Sequence, residues 1–298
     1  MMSFKTLVFS GAVLKGTFFL GCIKSLEEAG MLKTVDTFVG ASSGSIMCFL
    51  TALGYSGDQA IELCEKALIK YAQYNIDIDD ILDVINKMGF DKGNYFTDWL
   101  RVCIKTKLGI DDITFIDFAK KTGKNLVVCA SDITTGDVKY FSLEDSPDVS
   151  VVTAIRASIS VPYLFTPVIL DDHVLVDAGL FNNFPIERMK PSLFKDTLGI
   201  EITSKTYQPS TMNLFSFTCS LVDNLLKKII TRPRKDAEDS IVTWRFHDES
   251  DCLMNVDLTS FKFVIKEGMM REYFDIGYEF ARKQLTEDLP DEEKSQKS

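Results

Sequence analysis

The first fifty residues alternate between short apolar runs and amphipathic segments. Thr6–Phe9 is a β-branched and apolar run of the kind that forms a buried strand. The apolar residues of the next segment recur at helical spacing: Phe19, Cys22, Ile23 and Leu26. Gly30 then suits a helix C-terminal cap. A strand at Thr37–Val39 and a helix over Ser43–Leu53 follow, so the alternation predicts an α/β fold with a parallel sheet covered by helices.

The rest of the chain continues this alternation less regularly. Further buried strands are predicted at Asn125–Thr134, Val138–Phe141, His173–Val176 and Thr197–Thr203. Residues 57–120 have a mostly helical pattern, and a short helix after residue 150 precedes turns marked by Pro162 and Pro167. A long helix over Phe261–Leu285 and a charged, disordered tail over 286–298 complete the pattern. Because no repeat or Pro/Gly/Ser linker divides the chain, we expect one domain over residues 1–285, with a motif-bearing part at about 4–205 and a helical part at about 206–285.

Composition narrows the class of protein. The chain of 298 residues is 46% hydrophobic and carries a net charge of −10, which argues against broad nucleic-acid binding because that needs a basic face. The seven cysteines are an odd number and form no C-x-x-C pair, so neither a disulfide framework nor a zinc site is indicated. The N-terminus lacks a signal-peptide pattern, and no apolar run approaches the length of a membrane span. We therefore expect a soluble cytoplasmic protein.

The stretch GASSGS fits the nucleophile-elbow pattern G-x-S-x-G, with Ser42 at its centre. Such an elbow needs a strand before the serine and a helix after it, and both are predicted here. It also needs small residues two positions to either side, because the turn is sharp, and Gly40 and Gly44 meet that requirement. The competing interpretation is a Gly/Ser turn that only caps a helix.

A nucleophilic serine requires a base, and the chain contains only two histidines. His247 follows Ser42 in the chain order of a Ser…Asp…His triad, and His173 is a second candidate. Asp177 is the third, since it ends the predicted strand at His173–Val176, and open α/β sheets bind ligands at the carboxyl ends of strands. An aspartate can accept the serine proton if burial raises its pKa from about 3.9. Each of the three also has a purely structural interpretation, as a surface histidine or a turn aspartate.

The loop from Gly11 to Gly16 links the first strand to the first helix. Its backbone N–H groups lie at a helix N-terminus and can hold an oxyanion. Gly11 and Gly16 also match the glycine spacing of a phosphate-binding P-loop. However, Thr17 stands where the P-loop lysine is required and Lys15 precedes the glycine, so the sequence favours the oxyanion interpretation.

Three segments, taken in order, resemble the patatin-like phospholipase family: SGAVLKG…LEEAG, GASSGS and DAGLFNNFP. The block AIRASISVPYLFTPV is also similar to the family stretch RAS-x-x-x-P-x-x-F-x-P. The resemblance covers about residues 4–205. It implies a three-layer α/β/α fold with a central, mostly parallel sheet, and hydrolysis of lipid acyl esters without histidine, metal or cofactor.

Carried onto this chain, the resemblance implies Ser42 as nucleophile and Asp177 as general base. The loop Gly11, Ala12 and Val13 becomes the oxyanion hole. Elbow and turn are supported by Gly40, Gly44, Gly179, Asn183 and Pro185. The family usually has three glycines where this chain has Gly11-Ala12-Val13. A β-branched residue tolerates positive φ poorly, so the loop is expected either to use ordinary φ values or to displace the oxyanion hole.

The implied substrate is a phospholipid or an acylglycerol, and the sequence predicts no oligomeric state. Residues 221–235 form a basic amphipathic segment. It predicts peripheral docking on an anionic bilayer, with a solvated helix face as the alternative. Two other functions stay open at this point: a non-catalytic lipid-binding protein on the same fold, and a Ser-His-Asp esterase.

Overall fold

The computed structural model describes residues 3–73, 86–204, 240–249, 255–257, 262–264 and 268–287. The predicted basic segment 221–235, the rest of the amphipathic run from Leu214 and the tail from residue 288 lie outside the described residues. No described helix combines the length and the apolar composition that a bilayer crossing needs.

Helices and strands alternate along the described chain. The α-helices are α1 (Thr17–Glu28), α2 (Ser43–Ala52), α3 (Gly57–Gln73), α4 (Asn94–Leu108), α5 (Phe115–Thr122), α6 (Val151–Ser158) and α7 (Met269–Glu287). The first strands are β1 (Thr6–Phe9), β2 (Thr37–Ala41), β3 (Gly89–Asp91), β4 (Asn125–Asp132), β5 (Asp137–Phe141) and β6 (Tyr163–Phe165). The later strands are β7 (Val168–Leu170), β8 (His173–Val176), β9 (Thr197–Ser204), β10 (Val242–Asp248), β11 (Asn255–Asp257) and β12 (Lys262–Val264). Short 3-10 helices include Val13–Gly16, Ala178–Leu180, Pro185–Arg188 and Pro191–Asp196.

A mostly parallel sheet forms the centre of the molecule, as the sequence predicts. Its strand order is β10-β9-β1-β2-β4-β8-β7, and β5 pairs antiparallel with β4 on the edge opposite β2 and β8. The five strands from β10 to β4 run parallel, whereas β8 is antiparallel to β4, and β7 to β8. The parallel core places the carboxyl ends of β1, β2 and β4 side by side.

Alternate residues of the central strands serve two different cores. On β1, Leu7 and Phe9 join the large core beneath the α-helices, while Val8 joins a smaller core on the other face. The smaller core includes Ile186 and Phe194 from the 3-10 helices that cover that face. This period of two is what a central strand buried on both faces requires. The sheet is therefore flanked by helices on both sides.

Several predicted boundaries were wrong. The helix expected over Phe261–Leu285 begins only at Met269, because Lys262–Val264 pairs antiparallel with Asn255–Asp257. It also continues to Glu287, past the expected start of the tail. The C-terminal part is not purely helical, since β10 belongs to the main sheet. Strands β3, β6 and β7 were missed because three residues are too few to show an alternating pattern.

Helices α1 and α7 approach each other closely enough for backbone contact. A Cβ atom at Gly21 would lie 1.9 Å from the carbonyl oxygen of Phe274, and one at Gly277 would lie 2.0 Å from that of Phe18. The thiol of Cys22 donates to the Gly277 carbonyl oxygen at 3.3 Å. Each helix thus requires a glycine where the other crosses it, and the described end of the chain is fixed to its beginning.

We predict that Gly21→Ala or Gly277→Ala lowers the free energy of unfolding by about 1–3 kcal/mol or more, because the added methyl group meets backbone that cannot yield. Thermal or denaturant unfolding measures this. Gln284→Ala, near the exposed end of α7, is the control and is expected to stay within about 0.5 kcal/mol of the parent. An unchanged stability of both glycine variants would contradict the close crossing.

Candidate active site

Ser42 occupies a sharp turn between β2 and α2. Its φ of 48° and ψ of −128° are unusual for a residue with a side chain. A Cβ atom at Gly40 would lie 2.6 Å from the backbone of Ser45, and one at Gly44 would lie 2.4 Å from the carbonyl oxygen of Ser10. No side chain fits at either position, and this explains the glycine spacing around Ser42.

Hydrogen bonds hold the turn from both sides. The Ser42 backbone N–H donates to Ser158 Oγ at 2.9 Å, and the Ser42 carbonyl oxygen accepts from Ser45 Oγ at 2.6 Å and from the Ser45 N–H at 2.9 Å. Ser158 is the last residue of α6 and is fully buried. Ser158 was not among the predicted site residues, and its place in the RAS stretch is the sequence signal that could have indicated it.

Asp177 lies directly against the Ser42 side chain. Ser42 Oγ donates to Asp177 Oδ2 at 2.7 Å, and the Gly179 N–H donates to Oδ1 at 2.8 Å. The Asp177 N–H donates to the Ser160 carbonyl oxygen at 2.8 Å, which fixes the backbone. Burial raises the pKa of Asp177 to about 6, although the hydrogen bonds from Ser42 and Gly179 act to lower it. The carboxylate is therefore mostly ionised at neutral pH and close enough to accept the hydroxyl proton.

Asp177 reaches this position by an unexpected route. Asp177 follows the predicted strand His173–Val176, but this strand, β8, runs antiparallel to β4. Val176 pairs with Ser131 of β4, and Ala41 of β2 pairs with Cys129. Both strands use the edge of β4 opposite β5, so β2 and β8 approach each other end to end there, and the residues that follow Ala41 and Val176 meet beside Ala130.

Neither histidine is hydrogen-bonded to Ser42 or Asp177 among the described contacts. His173 Nδ1 lies 2.6 Å from Asp132 Oδ2. Burial alone would raise the pKa of Asp132, but hydrogen bonds from its neighbours, His173 among them, hold it below its usual value. His247 lies on the edge strand β10, and its Nδ1 is 3.0 Å from Oγ1 of Thr203 on the neighbouring strand β9. Both histidines thus have other partners.

Asn183 joins the glycine loop to the turn that carries Asp177. The Gly11 N–H donates to the Asn183 carbonyl oxygen at 2.8 Å, and Asn183 Nδ2 donates to the Gly11 carbonyl oxygen at 3.1 Å. A Cβ atom at Gly11 would lie 2.3 Å from Asn183 Oδ1, and one at Gly179 would lie 3.0 Å from the same atom. Pro185 begins the 3-10 helix that follows. The loop and the turn are therefore held together at the predicted support residues.

The next two loop residues differ from each other. Ala12 has an extended φ of −151°, and its N–H donates to Ser43 Oγ at 3.0 Å. Val13 has a φ of 50°, in the left-handed region that β-branched residues rarely adopt. Of the two expected outcomes, ordinary φ values are thus excluded at Val13. Such a conformation costs on the order of 1–3 kcal/mol.

A buried ion pair supports the far end of the loop. Lys15 Nζ is paired with Asp248 Oδ2, and both side chains are almost completely buried. Tyr273 of α7 donates its hydroxyl to the same carboxylate oxygen at 2.8 Å. Sequence reasoning missed this cluster because Asp248 and Tyr273 lie more than two hundred residues from Lys15, and no motif connects them.

Elsewhere, the described residues contain no group of three His, Cys, Asp or Glu side chains placed to hold a metal ion. The described geometry consists of a serine hydroxyl on a strained turn, a buried carboxylate in contact with it, and a glycine loop bonded to Ser43 and Asn183. In this geometry the Asp177 carboxylate is placed to accept the Ser42 hydroxyl proton.

Comparison with known proteins identifies the family. The sequence model described as patatin-like phospholipase matches residues 7–190. A protein of Invertebrate iridescent virus 6, named a probable lipid hydrolase, is 32% identical over 187 residues, which is 62% of each chain. An uncharacterized protein of Acanthamoeba polyphaga mimivirus is 25% identical over 285 residues, or 89% of this chain and 91% of its own. The chain belongs to the patatin-like phospholipase family.

The fold of a solved structure agrees with this result. The crystal structure of VipD from Legionella pneumophila superimposes with a TM-score of 0.59 at 16% identity, over 96% of this chain and 67% of that one. At this level of identity, the likeness concerns the fold alone. It shows the same arrangement of a central sheet between helices.

We predict that Lys15→Met lowers the free energy of unfolding by about 3–5 kcal/mol, because it leaves the Asp248 carboxylate buried without its cation. The double variant Lys15→Met/Asp248→Leu should recover much of that loss, and urea unfolding measures both. Lys105→Met is the matched control, since its pair with Asp111 is solvent-exposed and worth about 0–1 kcal/mol. Equal effects at Lys15 and Lys105 would contradict the role of the buried pair.

Proposed function

We propose that this protein is a lipid acyl hydrolase that cleaves fatty-acyl esters of phospholipids or acylglycerols through a Ser42–Asp177 dyad. The observation that carries the proposal is the 2.7 Å hydrogen bond from Ser42 Oγ to a buried carboxylate whose pKa is raised to about 6. A base of that pKa is unprotonated at neutral pH and is more basic than an ordinary carboxylate. Membership of the patatin-like phospholipase family and the lipid hydrolase name of the iridescent virus relative support the substrate class.

The first half of the reaction forms an acyl-enzyme. Asp177 accepts the proton as Ser42 Oγ attacks the ester carbonyl carbon, and a tetrahedral intermediate with a negatively charged oxygen results. When the intermediate collapses, the ester C–O bond breaks, and Asp177 returns the proton to the departing alcohol. In the second half, Asp177 takes a proton from water as the water oxygen attacks the acyl carbonyl carbon. The bond from this carbon to Ser42 Oγ then breaks, Asp177 returns the proton to Oγ, and the fatty acid leaves.

The oxyanion of the tetrahedral intermediate needs hydrogen-bond donors. The backbone N–H groups that already have acceptors are less suited to this role. The N–H groups of Gly11 and Ala12 already donate to Asn183 and to Ser43 Oγ. Among the described hydrogen bonds, none uses the N–H of Val13 or that of Ser43, which begins α2. We assign these two as the donors, because an elbow commonly combines the N–H after the nucleophile with one from a neighbouring loop. On this assignment, the positive φ of Val13 is part of the backbone conformation that presents its N–H to the oxyanion.

A non-catalytic lipid-binding role remains the second candidate, favoured by the engaged N–H of Ala12. It requires that the hydroxyl of Ser42 be unreactive. A serine-directed fluorophosphonate probe separates the two functions, because only an activated serine is labelled.

We predict that Ser42→Ala abolishes ester hydrolysis and probe labelling, and that Asp177→Asn lowers kcat by about 10²–10⁴-fold, because Asn keeps the shape of Asp but does not accept the proton. His173→Ala and His247→Ala, alone or together, should stay within about tenfold of wild type, since the rings are bonded to Asp132 and Thr203 instead. Release of fatty acid from phospholipid and glyceride substrates gives the measurement.

The matched control for Ser42→Ala is Ser25→Ala, which removes a buried hydroxyl that has no hydrogen-bond partner among the described residues of the fold. It should retain full activity. A folded double histidine variant as inactive as Ser42→Ala would replace the dyad with a triad.

We also predict a pH dependence of stability that isolates Asp177. Its folded pKa of about 6 lies above the ordinary 3.8, so the folded state binds more protons between these values and stability falls as pH rises. Relative to Asp177→Asn, the wild type should lose up to about 3 kcal/mol between pH 4 and pH 7, since two pKa units correspond to roughly that energy. Urea unfolding of both proteins across this range is the measurement.

Asp132→Asn serves as the control because the Asp132 pKa is shifted in the opposite direction. Relative to that variant, the wild type should gain stability as pH rises through the region below 3.8, and should then stay level up to pH 7. A difference between wild type and Asp177→Asn that does not change from pH 4 to pH 7 would show that the Asp177 pKa is not raised.

A further inference from the structure

One short segment at the end of α6 is bonded to the backbone of both members of the candidate dyad. Ser158 Oγ accepts from the Ser42 N–H at 2.9 Å. Two residues later, the Ser160 carbonyl oxygen accepts from the Asp177 N–H at 2.8 Å. Both of these α6-end serines are fully buried. Because Ser42 follows β2 and Asp177 follows β8, the placement of residues 158–160 helps to set the distance between the two side chains.

A buried arginine four residues before Ser160 is bonded to this segment. Arg156 Nη1 donates to Ser160 Oγ, which in turn donates to the Arg156 carbonyl oxygen at 2.7 Å. Nε and Nη2 both donate to the Lys92 carbonyl oxygen, at 3.0 and 2.9 Å. Nη2 also donates to the Thr166 carbonyl oxygen at 2.9 Å. One side chain therefore connects residues 158–160 with the loop after β3 and the loop after β6.

Stability alone does not explain why this charge is buried. Among the described residues, the hydrogen-bond acceptors of Arg156 are all uncharged. Burial lowers the pKa of Arg156 to about 10, and the nearby Asp91 carboxylate opposes this effect. A charge removed from water without a directly bonded counter-ion costs free energy, and an apolar side chain would avoid that cost. What the arginine provides instead is a fixed relation between three backbone segments.

The shape of the guanidinium suits this task. Arginine carries five N–H donors in a rigid planar fork, whereas the lysine ammonium is a compact point donor on a flexible stem. The fork is also closely packed. A Cβ atom at Gly93 would lie 2.1 Å from Arg156 Nε, and the Phe165 ring centroid lies 5.2 Å from Arg156 Cζ. The guanidinium therefore has little room to move.

We propose that Arg156 is a positioning residue for the hydrolysis: by holding residues 158–160 against the loops after β3 and β6, it keeps the Asp177 carboxylate within hydrogen-bond distance of Ser42 Oγ. The inference rests on the proposed function, since it concerns how that dyad is assembled. It goes further than the dyad itself, because Arg156 touches neither of the two side chains in the described hydrogen bonds and acts through Ser160.

This role has a signature that a merely structural role lacks. The hydrogen bond from Ser42 lowers the pKa of Asp177 against the larger effect of burial. If residues 158–160 shift and this bond lengthens, the pKa of Asp177 rises further. The Cys129 thiol, which interacts electrostatically with Asp177, stays neutral because burial raises its own pKa. A variant that only reduces the amount of folded protein leaves the pKa of Asp177 unchanged.

The test is the pH profile of kcat for a dissolved short-chain ester between pH 4 and pH 8. Wild-type kcat should rise with pH through about 6, as Asp177 loses its proton. Arg156→Lys keeps the charge and loses the fork. We expect its highest kcat to fall by about 10–100-fold with KM within about twofold, because misplacement by about 1 Å can cost that much. The midpoint of its profile should move upward by about half a pH unit.

Ser160→Ala is the second variant, and it decides the question if Arg156→Lys does not fold. It removes the acceptor of Arg156 Nη1 and leaves the bonds to Lys92 and Thr166 in place, so a smaller shift in the same direction is expected. The matched control is Arg271→Lys. Arg271 of α7 makes two hydrogen bonds to Glu65, at 3.3 and 2.8 Å, and its guanidinium lies 5.3 Å from an aromatic ring centroid. Its profile should match that of wild type.

An unshifted midpoint in the folded variants, whether or not kcat falls, would overturn the positioning role and leave Arg156 a role in stability alone. If the wild type hydrolyses no ester, the proposed function fails, and a second readout still tests the placement of Asp177. Urea unfolding of Arg156→Lys and of Arg156→Lys/Asp177→Asn gives the pKa of Asp177 without turnover. A loss of stability between pH 4 and pH 7 that exceeds the wild-type loss supports the role of Arg156, and an equal loss contradicts it.

Discussion

The turn at Ser42 is the constraint on which the rest of the site depends. A residue with a side chain is held at a φ of 48°, and this is feasible only because the chain approaches its own backbone through Gly40 and Gly44. The backbone conformation of Ser42 is unfavourable by itself, and hydrogen bonds to Ser158 and from Ser45 hold it in place. Since β2 and α2 are fixed in the sheet and core, the hydroxyl emerges at one defined place, level with the residue that follows β8.

Burial of Asp177 links the chemistry of the site to the stability of the fold. A carboxylate removed from water has a raised pKa, and the same desolvation that makes it a better proton acceptor makes it costly to keep ionised. The surrounding hydrogen bonds from Ser42 and Gly179 reduce this cost without removing it. Packing elsewhere must provide the difference, and the crossing of α1 with α7 is one place where it does.

Sequence reasoning could predict the features that depend on local pattern. The strands at Thr6–Phe9 and His173–Val176 were predicted with the bounds that the structure has, because apolar runs bounded by turn residues reveal them. The elbow glycines were predicted because a sharp turn at Ser42 requires small residues two positions to either side, and the sequence has glycine at both. The direction of β8 was not predictable, since the sequence of a four-residue strand does not indicate which strand it pairs with or in which direction. The ion pair between Lys15 and Asp248 was equally hidden, because long-range pairing leaves no periodic signal.

The position of Asp248 has a consequence for how the chain is made. The segment that matches the family ends at residue 190 and contains both Ser42 and Asp177, yet Lys15 finds its partner on β10 and in Tyr273 of α7. During synthesis from the N-terminus, the glycine loop therefore emerges long before the groups that neutralise its lysine. Until β10 and α7 have joined the sheet and α1, the Lys15 ammonium lacks the Asp248 carboxylate and the Tyr273 hydroxyl bonded to it. The loop beside Ser42 thus gains this support only after the chain has been synthesised through α7.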